Sequence, residues 1–256
     1  MTTLPPPSTK KLGLVIDLDT CVGCHACAVG CKQWNAGGIA GPLTDVDPYG
    51  KDPSGVWFNR VHSYELAATG ACGATPAQPA QTLHFPRSCL HCETPACVTV
   101  CPTGASYKRG EDGIVLVDED KCIGCGLCAW ACPYGAREMS PVDGVMKKCT
   151  LCVDRIYNEN LPQEEREPAC VQVCPTRARH FGDLGDPDSK VSKLVAERGG
   201  VALMPELGYQ PVNRYLPPRL RRTGGEADEA REEPAETLDA TALPPVLQWL
   251  DRMLSR

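Results

Sequence analysis

The stretch Cys122-Ile-Gly-Cys-Gly-Leu-Cys-Ala-Trp-Ala-Cys-Pro133 decides how this chain is read. It is a C-x₂-C-x₂-C-x₃-C-P run, the spacing that wraps a tight loop around a cubane [4Fe–4S] cluster. Three thiolates at these intervals hold one cluster, and the fourth, Cys132, lies on the following turn and reaches a second. Gly124 and Gly126 let the backbone approach the cluster sulfides and aim N–H groups at them. Pro133 then ends the turn. Zinc is the plainer occupant of a cysteine-rich loop, but structural zinc takes two separated cysteine pairs rather than four thiols in such a short run.

The chain has 256 residues, enough for one or two domains, and seventeen cysteines, too many for packing alone. Disulfide frameworks of that density belong to short secreted chains. Here sixteen of the seventeen fall into four groups with metal-type spacing. Cys72 is the odd one, without a partner at ligand spacing, and reads as a free thiol without a role. Aromatic residues are only 5% of the chain, with three Phe, so the core around each motif depends on what the motif binds and folding is coupled to metal assembly.

No stretch reaches the ~18 apolar residues of a membrane-spanning helix. Residues 1–11 carry three consecutive prolines, no apolar run and no paired arginines. The expectation is a cytoplasmic protein, or one exported folded on a partner that bears the signal. A net charge of −6 with no basic stripe argues against nucleic acid as a partner.

The other motifs repeat the first with variations. Leu12 to Asp19 reads as a strand leading into Cys21, Cys24, Cys27 and Cys31, where Lys32 replaces the proline. His25 lies between two of these cysteines, but four thiols already suffice, so it reads as a surface residue. Residues 36–55 and 67–81 are Gly/Pro-rich loops on either side of a strand at Val56 to Glu65. Cys89, Cys92, Cys97 and Cys101-Pro102 form the second motif, with two extra residues before its third cysteine. Gly113 to Asp118 is a strand after a hairpin turn. The last motif is split: Cys149 and Cys152 are followed, after a charged helix and loop, by Cys170 and Cys174-Pro175.

Residues 89–136 run motif, Cys-Pro, hairpin, motif, Cys-Pro, and so form a complete two-cluster module of the bacterial ferredoxin type. Motifs one and four have no neighbouring partner and pair most simply as a second module into which the first is inserted. The ligand sets then cross over. Cys21, Cys24, Cys27 and Cys174 hold one cluster; Cys31, Cys149, Cys152 and Cys170 hold its mate. Cys89, Cys92, Cys97 and Cys132 hold a third, and Cys101, Cys122, Cys125 and Cys128 the fourth. The expected fold is α+β, two dicluster modules with one inserted in the other, plus loop insertions and an extended C-terminal arm.

The expected divisions are 1–88 (first motif and loops), 89–136 (inserted module), 137–180 (split motif) and 181–256 (helix and arm). Within the last, Asp188 to Arg198 is an exposed helix closed by Gly199-Gly200. Residues 205–256, rich in proline and charge, read as a docking arm with a short amphipathic end at Pro244 to Leu254. Lys108, Arg109, Lys121, Lys147, Lys148, Arg177 and Arg179 lie beside motifs, where positive charge would raise a cluster's reduction potential.

Four clusters make a row of one-electron stations, and the chain carries no phosphate loop, nucleophile motif or flavin or nicotinamide fingerprint. No catalytic residue is assigned, and the substrate site belongs to another polypeptide. The four-motif order with its split fourth motif resembles the iron–sulfur subunits of the molybdopterin oxidoreductases. That family includes dimethyl sulfoxide, polysulfide, tetrathionate and nitrate reductases, formate dehydrogenase and the quinone-linked sulfite dehydrogenase. The resemblance covers roughly residues 12–215. It implies two partners, a molybdopterin catalytic subunit and a membrane anchor with a quinone site, and no membrane span here. The nitrate reductase type carries tryptophan and a [3Fe–4S] cluster where this chain has Cys125, so four cubanes are expected. Gly41 to Gly50 and Gly55 to Val61 look like the sulfite branch. The expected function is therefore electron relay in sulfite oxidation, with the same role in a sulfoxide, polysulfide or tetrathionate reductase as the alternative. A soluble polyferredoxin shuttle is a different class, against which the long arm argues.

Cys72→Ser is expected to leave both the iron content and the activity of the purified complex unchanged; loss of either would give this thiol a role.

Overall fold

In the computed structural model, residues 2–36, 56–66 and 81–219 are described; Cys72 and the arm beyond residue 219 lie outside them, as does most of both Gly/Pro-rich loops. The chain opens with β1 (Leu12–Asp17) and α1 (Ala26–Cys31), the latter continuing into a π turn at Lys32–Ala36. Then come β2 (Asn59–Leu66), β3 (Gln81–Ser88), α2 (Ala96–Thr99), β4 (Ser106–Lys108), β5 (Val115–Val117) and α3 (Leu127–Trp130). The remainder is β6 (Glu138–Met139), β7 (Met146–Lys147), α4 (Val153–Ile156), α5 (Ala169–Gln172), β8 (Arg179–Asp183), α6 (Lys190–Arg198) and β9 (Arg214–Leu216). All but α6 of these helices are six residues or shorter, because the thiols on them anchor turns rather than long amphipathic faces.

β1 is the centre of a three-stranded sheet of order β8-β1-β9, antiparallel to β8 and parallel to β9. All six of its residues are buried, since both sheet faces are covered. Leu12, Leu14 and Ile16 face the main core, which holds Cys27, Cys31 and Cys170. Val15 faces the other way and packs with Val191 and Leu216 under α6. That helix starts where Ser189 Oγ accepts the Ser192 N–H at 3.1 Å and stops at Gly199, whose φ is 61°.

Three antiparallel hairpins complete the strands: β2–β3, β4–β5 and β6–β7. The sequence reading anticipated β2 and β5 but not β3 or β6–β7. Pro86 sits inside β3 opposite Val61, and a proline is a poor strand signal. α1 packs against α5 and α2 against α3, so the first motif lies beside the fourth and the second beside the third.

The C-terminal reading needs a correction. Residues 205–216 are not a free arm: a 3₁₀ turn at Pro205–Leu207 leads back into the sheet as β9. Asn213 is fully buried, accepting the Leu14 N–H at 2.9 Å and donating to the Cys89 carbonyl at 3.1 Å. Tyr215 stacks on Phe85 with ring centroids 4.5 Å apart and donates its hydroxyl to the Pro86 carbonyl at 3.1 Å. This segment looked coreless because its apolar residues complete a core assembled elsewhere.

Leu216→Ala is expected to destabilise the iron-loaded protein by about 2–5 kcal/mol in denaturant titrations. Truncation before Gln210, which also removes Asn213 and Tyr215, is expected to lower iron content and not only partner binding.

Candidate iron–sulfur sites

The residue before the second cysteine of every motif is left-handed: Gly23 (φ 67°), His91 (47°), Gly124 (68°) and Leu151 (56°). A left-handed residue in such a loop turns successive N–H groups into one concavity, an arrangement that suits anions and iron–sulfur clusters. A Cβ on Gly124 would stand 2.5 Å from the Gly144 carbonyl oxygen, so glycine is required there. His91 and Leu151 adopt the same conformation with side chains fully buried, and packing offsets a strain of about 1–3 kcal/mol. His25 (φ 60°) occupies in motif one the place of Gly126 (φ 75°) in motif three, a backbone position at the start of a helix.

The sixteen described cysteines are all free and stand in four groups. Cys101, Cys122, Cys125 and Cys128 line one hollow together with Arg137. Cys21, Cys24, Cys27 and Cys174 line another together with Arg179. Burial, then the charges of Cys149, Cys170 and Cys152, push the Cys31 thiol well up. Burial and Cys89, Cys97 and Cys132 do the same to Cys92. Cys149 is pushed up to about 12, by burial first and then by Cys89, Cys170 and Cys152, against the pull of Lys148. Cys170 rises to about 11 by burial, with Cys152 and Cys27 adding to it and Arg179 opposing.

Cys27 adds to the rise at Cys170 and Cys89 to that at Cys149, while Arg137 answers the charges of both Cys97 and Cys128. Cys24 and Cys125 are exposed, while Cys31, Cys149, Cys152 and Cys170 are all buried.

Backbone N–H groups reach the sulfurs directly: Ser106 to Cys101 and Met146 to Cys122 at 3.3 Å, Leu151 to Cys149 and Ala169 to Cys152 at 3.4 Å. Asn35 donates its amide to Cys152 Sγ at 3.4 Å, and its carbonyl accepts from Thr150 Oγ1 at 3.2 Å. Arg137 Nη2 donates to Cys97 Sγ at 3.0 Å and to Ser106 Oγ at 2.7 Å. Arg179 Nη1 donates to Cys170 Sγ at 3.5 Å, and its Nη2 to Asn59 Oδ1 at 2.7 Å. Lys148 Nζ donates to the Cys149 carbonyl and Lys108 Nζ to the Cys92 carbonyl, the latter at 2.9 Å. His91 is kept neutral by burial and by the charges of Lys148, Lys108 and Arg137; its Nδ1 accepts the Val115 N–H at 3.1 Å.

These donor sets fit an anionic, sulfide-bearing group. Arg137 Nε and Nη1 and Arg179 Nε are buried without a hydrogen-bond partner, and cluster sulfides would accept from them. Among the described residues no three His, Cys, Asp or Glu side chains converge on one ion position, as tetrahedral zinc would need at about 2.3 Å. The thiols surround volumes rather than points. Burial strengthens the hold of Cys31, Cys149 and Cys170 on their protons, so cluster binding must displace them and couples to folding.

Of the basic residues singled out in the sequence, Lys108, Lys148 and Arg179 reach motif sulfurs or carbonyls. Lys121 is paired with Asp118 at 2.6 Å, and Lys147 with Glu119 and Asp143, at the surface. Arg137, Asn35, His91 and Asn59 escaped the sequence reading. The signal for Arg137 was a second repeat: Cys132-Pro-Tyr-Gly-Ala-Arg137 and Cys174-Pro-Thr-Arg-Ala-Arg179 place an arginine at the same step after each Cys-Pro.

Residues 80–184 match the 4Fe-4S dicluster domain family, and residues 18–34 match a 4Fe-4S binding domain. The sequence is 58% identical to a sulfite dehydrogenase subunit of Allochromatium vinosum, across 83% of this chain and 85% of that one. It is 38% identical to a polysulfide reductase subunit of Wolinella succinogenes, across 81% and 95%. It is 36% identical to an anaerobic dimethyl sulfoxide reductase subunit of Escherichia coli, across 84% and 94%. This protein belongs to that family of oxidoreductase iron–sulfur subunits. It is accordingly a 4Fe–4S-binding subunit of an oxidoreductase, and no helix among its described residues is long and apolar enough to cross a membrane.

Replacing the exposed Cys125 by Trp is expected to remove or convert one cluster, with the fold retained. Cys149→Ser, in the buried interior, is expected to lower both iron content and thermal stability. Equal losses at the two positions would contradict the difference in burial.

Proposed function

We propose that this chain relays electrons through four [4Fe–4S] clusters between a molybdopterin catalytic subunit that oxidises sulfite and a membrane anchor that passes electrons to quinone. The observation that carries it is the 58% identity, over most of both chains, to the sulfite dehydrogenase subunit. The sulfoxide and polysulfide reductase subunits stand lower, at 36 and 38%.

The cysteines are assigned as in the crossed ligand sets: motif one completed by Cys174, motif two by Cys132, motif three by Cys101 and motif four by Cys31. The contacts of α1 with α5 and of α2 with α3 support two nested dicluster modules. The clusters supply reversible one-electron transfer. The chain's own residues fix their spacing, bury the set of Cys31, Cys149, Cys152 and Cys170 and leave one ligand exposed in each of two other sets, at Cys24 and Cys125. Exposed apolar side chains flank those two ligands, Val22 and Val29 at one and Ile123 and Trp130 at the other. Such surroundings suit contact with a donor subunit and an acceptor subunit. Electron tunnelling falls steeply with distance, so partners must dock close to a cluster. The working compartment proposed is the cytoplasmic face of the membrane, with attachment through the anchor.

Iron analysis of the native complex should return about sixteen irons per chain and no stoichiometric zinc. A strain lacking this subunit should lose sulfite-dependent quinone reduction while its catalytic subunit still reduces an artificial acceptor with sulfite. If sulfite oxidation persists and growth on a sulfoxide or polysulfide fails instead, the complex is a reductase.

A further inference from the structure

Three of the buried cations described above share an arrangement that the relay itself does not require. Arg137, Lys148 and Arg179 are 6, 3 and 3% exposed, and none has a carboxylate partner among the described residues. Their neighbours show the contrast: Lys147 takes Glu119 and Asp143, and Arg198 takes Asp17. A charge buried without a counter-ion is costly, and Arg137 and Arg179 turn instead to the sulfurs of Cys97 and Cys170, where a bound cluster would supply the compensating anion.

Each arginine touches two thiol groups, and Lys148 bonds beside the buried one. Arg179 donates to Cys170 Sγ and also lines the hollow of Cys21, Cys24, Cys27 and Cys174. Lys148 donates to the Cys149 carbonyl, and its charge acts on both Cys149 and Cys97. Arg137 donates to Cys97 Sγ and lines the hollow of Cys101, Cys122, Cys125 and Cys128. The two arginines are also held alike, Arg137 by Ser106 and Arg179 by Asn59, each at 2.7 Å.

Resting on the four-cluster reading, we propose that one buried cation occupies each gap in the row of clusters. Arg179 stands between the first two, Lys148 between the modules and Arg137 between the last two, each setting the potentials of both its neighbours together. Reduction adds a negative charge to a cluster. A fixed positive charge in a low-dielectric interior therefore stabilises the reduced form and raises the potential. Three cations placed in three gaps raise the whole row rather than one member of it. They are positioning and tuning groups and take no electron themselves.

The test is a redox titration of the iron-loaded complex, following each cluster by electron paramagnetic resonance. The wild-type iron count comes first: fewer than four clusters overturns the reading beneath the proposal, independently of any variant. With four present, Arg137→Met is expected to lower the potentials of two clusters and leave the other two in place. Arg179→Met should lower the complementary pair, and Lys148→Met one member of each pair. Arg137→Lys and Lys148→Arg, which keep the charge, should restore most of the shift. Lys193→Met, at an exposed ion pair with Asp188 on α6, should move none. Unchanged potentials with full iron content, or a shift confined to one cluster per variant, would overturn the proposal. So would loss of iron in both the Met and Gln variants at all three positions, which would make the cations structural.

Discussion

Gathering sixteen cysteine thiols inside one small protein is the constraint that the other features answer. Burial and the neighbouring sulfurs push the innermost of them up, to about 12 at Cys149 and about 11 at Cys170, so ionised they cannot be held by packing alone. Three kinds of positive charge offset the cost. Metal displaces the protons, backbone N–H groups point at the sulfurs, and buried Arg137 and Arg179 donate to Cys97 and Cys170 while Lys148 donates to the Cys149 carbonyl. The left-handed residue before the second cysteine of each motif serves the same end, since it turns the N–H groups inward.

The sheet is the frame that keeps these groups in place. β1 runs through its centre with apolar residues on both faces, one toward the thiols and one toward α6. β8 leads out of the fourth motif and begins with Arg179, so the strand that braces β1 also delivers a cation to the sulfurs. β9 closes the other edge, and Asn213 ties β1 to the carbonyl of Cys89. Ligand loops and frame are thus one cooperative structure. Membership of an oxidoreductase subunit family accords with a chain that has thiols and cations in its interior and, among the described residues, exposed cysteines at Cys24 and Cys125.

What could be read directly from the residues was local. Cysteine spacing, the Gly124 turn, the β1 run and the helix between Ser189 and Gly199 are written within a few consecutive positions, where covalent geometry and short-range hydrogen bonds decide. The nearby basic residues were visible too, but not which of them faced inward. Lys147 and Lys148 are adjacent and go opposite ways, one to surface carboxylates and the other to Cys149.

The iron–sulfur character of the motifs, then, was determined by the sequence alone, because a thiol's identity and its interval along the chain suffice to mark a cluster-binding loop. Tertiary structure decided the rest. Leu14 meets Asn213, Phe85 meets Tyr215 and Arg137 meets Cys97 only after the chain has closed on itself. None of these pairings leaves a periodic trace, since each depends on matching shape and charge between segments far apart in the sequence. For that reason Arg214–Leu216 read as part of an arm and are in fact an edge of the central sheet.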